Sequence, residues 1–415
     1  MDTTNNRPSR FYGWNVVAAA FVVAVFGWGT GFYGPPVYLE IVRQSRGWPI
    51  ALVSGAVTLH FLVGLALIPK LPALYRRLGL PIVTVAGGVM MTIGILGWSL
   101  ARVPWQLYTA AFLSGIGWSA LGAVAINAIV SPWFDARRPL ALGIAFNGGS
   151  VGGVIFSPLW IVAIDRIGFP VASLIVGLAM IATLGALAAV VLTRTPESTD
   201  GSPHGGQPIS LDPSGIAVAG KETSITRTDL LGDRGFLTLC IGMTLALFAQ
   251  TGLIAHLVSI LAPTLGKRGA GLAAGASGIA AVVGRLVVGS GVFRNLNWRA
   301  VASGSLLVQV VGCAVLILGH GSNPLLTVFG VMLFGLGVGN AISVPPVIAN
   351  LEFSRADAAR AVALIVAISQ GAYAIAPIMF GLIRQVTSDR VVFLAAATIE
   401  FLAIVSYLSK GSVKE

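Results

Sequence analysis

The feature that most constrains this chain is the recurrence of apolar runs about twenty residues long, separated by short breaks that hold its few charges. Wound as a helix, a run of that length crosses the ~30 Å hydrocarbon core of a bilayer and satisfies its backbone hydrogen bonds internally. Of the 415 residues, 56% are hydrophobic and only 10% charged. A soluble domain carries about 25% charged residues, so the composition excludes a soluble globular protein. The chain reads as an all-α, polytopic membrane protein.

Charged or Pro/Gly breaks mark out twelve spans, roughly 13–38, 50–72, 80–101, 105–130, 138–164, 169–193, 235–262, 270–292, 299–319, 323–349, 358–383 and 390–409. One long polar stretch, 194–234, is rich in Gly, Ser, Thr, Pro and Asp and lacks apolar periodicity, as a flexible cytoplasmic linker would. It separates an N-terminal unit, 1–193, from a C-terminal unit, 235–415, with six spans in each. Arg7 and Arg10 precede the first run, which resembles a signal peptide. That run continues past signal length with no small-residue cleavage site before the next charged loop, so it is read as a first span.

Loops on the side of the termini hold most of the Lys and Arg, among them Arg76, Arg77, Arg294 and Arg299. The positive-inside rule then places both termini in the cytoplasm, and the expected location is the cell (inner) membrane. The net charge of +11 is therefore a topology signal. No basic face with interleaved aromatics exists, so nucleic acid is not the expected partner. Cys240 and Cys313 both lie in apolar runs with no ligand-spaced His or Cys, which marks core residues and no metal site.

The halves resemble each other. "SGIGWSALGAVAINAIVSPWFDARR" (114–138) parallels "FGLGVGNAISVPPVIANLEFSRADAAR" (334–360), and Pro158 and Pro377 occupy similar places in the spans that follow. Duplicated six-span units are the architecture of many secondary transporters, with the site between the halves.

The segment "SPWFDARRPLALGIAFNGGSVGG" (131–153) sets Asp135, Arg137 and Arg138 at the mouth of a glycine-rich span. Cations at a helix N-terminus oppose its dipole. They suit a cytoplasmic anchor and gate that pairs with Asp135 or a neighbouring loop. Pro139 fits the first helical turn, and Gly143, Gly148, Gly149, Gly152 and Gly153 clear space for another helix. The segment resembles the fifth-span signature of the monocarboxylate transporter family, Y-F-x-K-R-R-x-L-A-x-G-x-A-x-A-G-x-x-x-G, within the major facilitator superfamily. It matches at Phe134, Arg137, Arg138, Leu140, Ala141, Gly143, Ala145, Gly148 and Gly152, and departs at Trp133, Ala136 and Asn147. The superfamily's loop after spans 2 and 8 is degenerate: Arg76 and Phe293 stand where its Asp is expected. The resemblance implies twelve transmembrane helices in two pseudo-symmetric six-helix halves, the major facilitator fold.

Four ionisable residues fall inside spans: His60, His256, Arg285 and Glu400. Such groups cost at least ~2.5 kcal/mol at the bilayer centre and mark function by default. Arg285, in "AAVVGRLVVG", reads as far from both ends of its span. Its planar fork suits a carboxylate. By the resemblance, it stands where monocarboxylate and oxalate–formate transporters carry the Arg that holds the substrate. Ala281 replaces the Asp of mammalian-type members one turn before it. The Lys that oxalate exchangers have in span 11 falls near Ser369, beside Gln370. Their aromatic cage is replaced by Gly122, Gly149 and Ala341. One buried cation without a second fits one carboxylate better than two.

Tyr33, Thr30, Asn127, Asn147, Ser369, Gln370 and Tyr373 are candidates to complete the site, a packing hydrogen bond being the alternative for each. Ser369 and Tyr373, four apart, are expected on one face. Tyr33 precedes Pro35-Pro36, a break at which span 1 bends. His60 is the candidate proton carrier, or else a satisfied core histidine. His256 and Glu400 have no assigned role.

No G-x-x-x-x-G-K-[ST] occurs, so ATP is not the expected energy source, and "GLGVGN" (335–340) in an apolar span reads as packing rather than a dinucleotide loop. No nucleophile–base–acid cluster suggests an enzyme, and no cofactor is expected. The expectation is a secondary active transporter moving a small organic monocarboxylate by alternating access, with proton symport or anion exchange. The alternative is an exporter of hydrophobic or cationic compounds on the same fold. It would want a buried acid in the first half, and none is visible.

Overall fold

A computed structural model describes residues 11–134, 137–196, 227–290, 292–293 and 296–409. Asp135 and most of the 194–234 stretch lie outside the described residues. Eleven helices are long and apolar enough to cross a membrane. One of them, Arg234–Gly289, has 56 residues and would span about 84 Å if straight, far more than a bilayer core. At Gly266 its backbone swings to φ 71°, ψ 166°, a conformation glycine adopts without a Cβ penalty, just after Pro263 has removed a helical N–H. The helix is thereby two crossings, and the twelve expected spans are all present.

In chain order they are α1 (Gly13–Arg46), α2 (Ile50–Leu78), α3 (Leu80–Leu100), α4 (Pro104–Trp133), α5 (Arg138–Ile167) and α6 (Phe169–Leu192). The second half holds α7 (234–265), α8 (267–289), α9 (Trp298–Gly319), α10 (Pro324–Glu352), α11 (Arg355–Val386) and α12 (Asp389–Leu408). Several helices outrun their hydrophobic runs. α1 continues to Arg46 and α2 to Leu78, because polar residues extend a helix past the apolar core into its ends.

The bend expected in α1 falls at Phe32–Tyr33. Pro35 and Pro36 lack the N–H groups that the carbonyls of Gly31 and Phe32 would accept four residues on. The chain compensates with side chains. His60 Nε2 donates to Gly31 O at 2.8 Å, and the Tyr38 hydroxyl donates to Thr30 O at 3.3 Å. A break inside a membrane is tolerated where such partners satisfy the freed groups.

α1 packs closely on α5. A Cβ on Gly152 would fall against Val25 O, one on Gly148 against Phe21 O, and one on Gly153 would sit 2.6 Å from the Tyr33 ring. Four of the five glycines thus make room for α1, at Gly148, Gly149, Gly152 and Gly153. Gly143 is the exception: nothing lies within 4 Å of a Cβ there.

The two halves meet along two main seams, α2 with α11 and α5 with α8, which pair the second helix of each half with the fifth of the other. Beyond its bend, α1 also packs on α7. On α8, Gly271, Gly275 and Gly278 face Ile161, Pro158 and Val154 of α5. On the other seam Thr58 Oγ1 accepts from Ile378 N at 3.1 Å, and Ala51 N donates to Gln385 Oε1 at 3.2 Å. These contacts gather toward the face away from the termini, where Arg268 also pairs with Asp165 across the α5–α8 seam at 2.6 Å. That face carries an open depression of about 590 Å³ lined by Arg43, Trp48, His320, Arg384 and Arg390, remote from Arg285 along the helices.

Candidate functional site

Arg285 sits four residues before the end of α8 at Gly289, not deep within its span as the sequence suggested. Its side chain nevertheless turns inward, because side chains on a helix lean toward its N-terminus and so away from the nearer membrane face. The guanidinium is half-buried at the α5–α8 seam. Nε donates to Gly339 O on α10 at 3.3 Å, and Nη1 donates to Asn147 Oδ1 at 2.9 Å and Ser150 Oγ at 3.3 Å, both on α5. α10 comes this close because Gly284 and Gly339 carry no side chains: a Cβ on Gly339 would lie 2.6 Å from Ala281 O. The ring of Tyr33, at the α1 break, rests on Gly153, one turn along α5 from Ser150.

Among the described residues no carboxylate pairs with Arg285, whereas other buried cations have one. Arg299 is held by Glu352 at 2.8 Å, with Thr238 Oγ1, Gly235 O and Tyr407 O completing its shell. Arg384 pairs with Asp389, which also accepts from His320 at 3.3 Å. An Arg with neutral acceptors only keeps its charge available for an anion.

Of the seven residues expected to bind substrate, the structure joins Arg285 to Asn147 and sets Tyr33 against Gly153, farther along α5. Gln370 and Tyr373 lie on the α2–α11 seam, Gln370 beside Gly64 and the Tyr373 ring edge-on to Phe61 at 6.1 Å. Ser369, one turn before Tyr373 on α11, shares a hydrogen bond with Thr244 of α7 at 3.0 Å. Asn127 donates to Ala123 O of its own helix at 2.9 Å. Thr30 is buried and donates to Phe26 O at 2.7 Å.

His60 is buried, with Ser114 Oγ 2.8 Å from Nδ1 and Gly31 O on Nε2. Ser114 also approaches Ala111 O at 3.1 Å, so its hydroxyl can donate either to His60 or to that carbonyl. The ring keeps both hydrogen bonds whether or not Nδ1 carries a proton. His256 donates from Nε2 to Pro377 O at 2.9 Å, and Glu400 is buried in α12 with neither carboxyl oxygen bonded. Arg137 and Arg138 are exposed where α5 begins, and Arg138 Nε donates to Ser131 Oγ at 3.0 Å. Cys240 and Cys313 are free thiols in the core.

Sequence reasoning missed Ser150, Gly339 O and the cluster formed by Gln250 with Gln309 (3.0 Å) and Asn340 with Ser305 (3.2 Å). Ser150 stands three residues from Asn147, the spacing of one helical face, a signal from which it could have been found. A backbone carbonyl leaves no such trace.

A model of the Major Facilitator Superfamily matches residues 17–351. Monocarboxylate transporter 11 of Mus musculus is 30% identical over 177 residues, 41% of this chain and 38% of that protein. The Fujikurins efflux protein of Gibberella fujikuroi is 36% identical over 181 residues, 41% of this chain and 38% of that protein. The matched segment thus spans less than two-fifths of either relative. Among solved structures, a bacterial homolog of the human lysosomal transporter Spinster, inward-facing, superposes with a TM-score of 0.71 at 15% identity, covering 96% of this chain and 97% of that one. The nucleoside transporter NupG gives 0.70 at 14% identity, covering 98% and 100%.

Proposed function

The chain belongs to the Major Facilitator Superfamily, and from that premise we propose that it is a secondary active transporter moving a small organic monocarboxylate by alternating access, with proton symport or anion exchange. It is a multi-pass membrane protein and a transporter rather than an enzyme. The observation that carries the substrate class is Arg285, a half-buried cation between the halves with no carboxylate partner among the described residues. The substrate carboxylate meets the guanidinium fork at the α5–α8 seam, and Tyr33 at the α1 break closes the site beside it. Pairing neutralises Arg285, so burying it behind a closing seam costs less with substrate bound. Both termini are cytoplasmic in the inner membrane, Arg137 and Arg138 anchor that face, and the face with the Arg268–Asp165 pair is outside. Gln370 and Tyr373 line the α2–α11 side of the path, and His60 is the proton carrier if symport operates.

Uptake of radiolabelled monocarboxylates into proteoliposomes tests this. Arg285→Gln is expected to lower uptake at least about a hundredfold, and Arg285→Lys to recover a fraction, since Lys keeps the charge but not the fork. Full uptake by Arg285→Gln would refute the reading. A second reading, efflux of hydrophobic or cationic compounds, is favoured by the likeness to the Fujikurins efflux protein. It predicts that Arg285→Gln leaves export of such compounds unchanged.

A further inference from the structure

The guanidinium of Arg285 has five N–H donors. Acceptors of the protein take three of them: Gly339 O takes Nε–H, and Asn147 Oδ1 and Ser150 Oγ take the two of Nη1. The pair on Nη2 has no acceptor among the described residues. Asn147 and Ser150 lie on one face of α5, in the other half of the molecule from Arg285. Both are neutral, so they satisfy hydrogen bonds without cancelling the charge.

This division matters at one step of an alternating-access cycle, the return without substrate. If a carboxylate were the sole partner of the buried cation, closing the α5–α8 seam without it would strand a bare guanidinium. Such a carrier is confined to exchange. Here α5 offers substitute acceptors on the same seam. We propose that Asn147 and Ser150 stand in for the substrate carboxylate on Arg285, so that the carrier returns without substrate and performs net transport rather than obligatory exchange. An arriving carboxylate engages Nη2 first, then takes Nη1 from α5, trading neutral acceptors for a charged one. Gly339 O holds Nε throughout and keeps the fork oriented.

This inference rests on the carboxylate-clamp reading of Arg285, and one experiment separates the two. Proteoliposomes are loaded with radiolabelled pyruvate, lactate, acetate or benzoate, using the acid that exchanges fastest. Efflux is then measured into medium lacking that acid and into medium containing it unlabelled. Wild-type protein is expected to show both net efflux and exchange. In the double variant Asn147→Ala, Ser150→Ala the ratio of net efflux to exchange is expected to fall about tenfold or more, since two buried donors lose their acceptors only when substrate is absent. Asn147→Asp, close to isosteric, offers Arg285 a permanent carboxylate. It is expected to raise the acid concentration for half-maximal exchange without lowering the ratio.

An unchanged ratio in the double variant, or wild-type protein that exchanges without net efflux, overturns the inference. A ratio that falls in Asn147→Asp as well also overturns it. If Arg285→Gln transports like wild type, or no acid of the panel exchanges at all, the clamp reading itself fails. Failure of the inference with Arg285→Gln inactive leaves the clamp reading standing.

Discussion

At the residue scale, two side chains do work that neighbouring sequence creates. Pro35 strips Gly31 O of its helical donor, and His60 supplies the replacement from α2. Replacing His60 by Leu leaves that carbonyl short of a donor inside the membrane, while Ser114 keeps Ala111 O and Trp98 Nε1 as partners. The expected cost is about 1–3 kcal/mol, read as a lowered midpoint in thermal unfolding of the purified protein. His60→Gln, which keeps a donor, should recover part of it. If His60→Leu unfolds like wild type, the side chain is not what satisfies the bend. The identity of His60 as a polar residue in a span was legible in the sequence; its partner was not, because nothing in residues 31 to 60 encodes which carbonyl faces which ring. Arg285 shows the same division. Its type and position announce an anion site, but Asn147, Ser150 and Gly339 O come to it from 54 to 138 residues away.

At the scale of elements, the α5–α8 seam depends on small residues at matched heights. A Cβ on Gly275 would already touch Pro158 Cδ at 3.1 Å and Val154 O at 3.2 Å, and on Gly278 Val154 Cγ2 at 3.3 Å. Leucine at Gly275 is therefore expected to wedge the seam apart. Transport should fall while the protein still elutes as a folded species, and a thiol probe at a cysteine introduced near Arg268 should gain access. Unaltered labelling there would show that the seam accommodates the wedge. Gly143, on the same glycine-rich span, meets nothing, and Gly143→Ala should leave transport and unfolding temperature unchanged. The motif does not distinguish the two kinds of glycine. Only the register of α5 against α1, and of α8 against α5, assigns each one a neighbour.

At the scale of the whole molecule, the halves meet along two related seams, and Arg285 lies on one of them. The α2–α11 seam has Gln370 and Tyr373 where α5–α8 has Arg285, so substrate binding is expected to be lopsided across the pseudo-twofold. Gln370→Ala and Tyr373→Phe should shift the apparent affinity for the best carboxylate by less than about tenfold, against near loss for Arg285→Gln, because neutral contacts are worth less than charge-assisted ones. An equal loss from all three would place the site on the midline instead. Apolar runs, their number, the duplication and an Arg within a span were readable from the chain, because the bilayer imposes length and hydrophobicity on each span independently of its neighbours. Which polar residues meet Arg285, and where Ser369 and Asn127 find their hydrogen bonds, were decided by tertiary structure. Those outcomes depend on how helices rotate and slide against one another, and small residues packed at long range set that rotation.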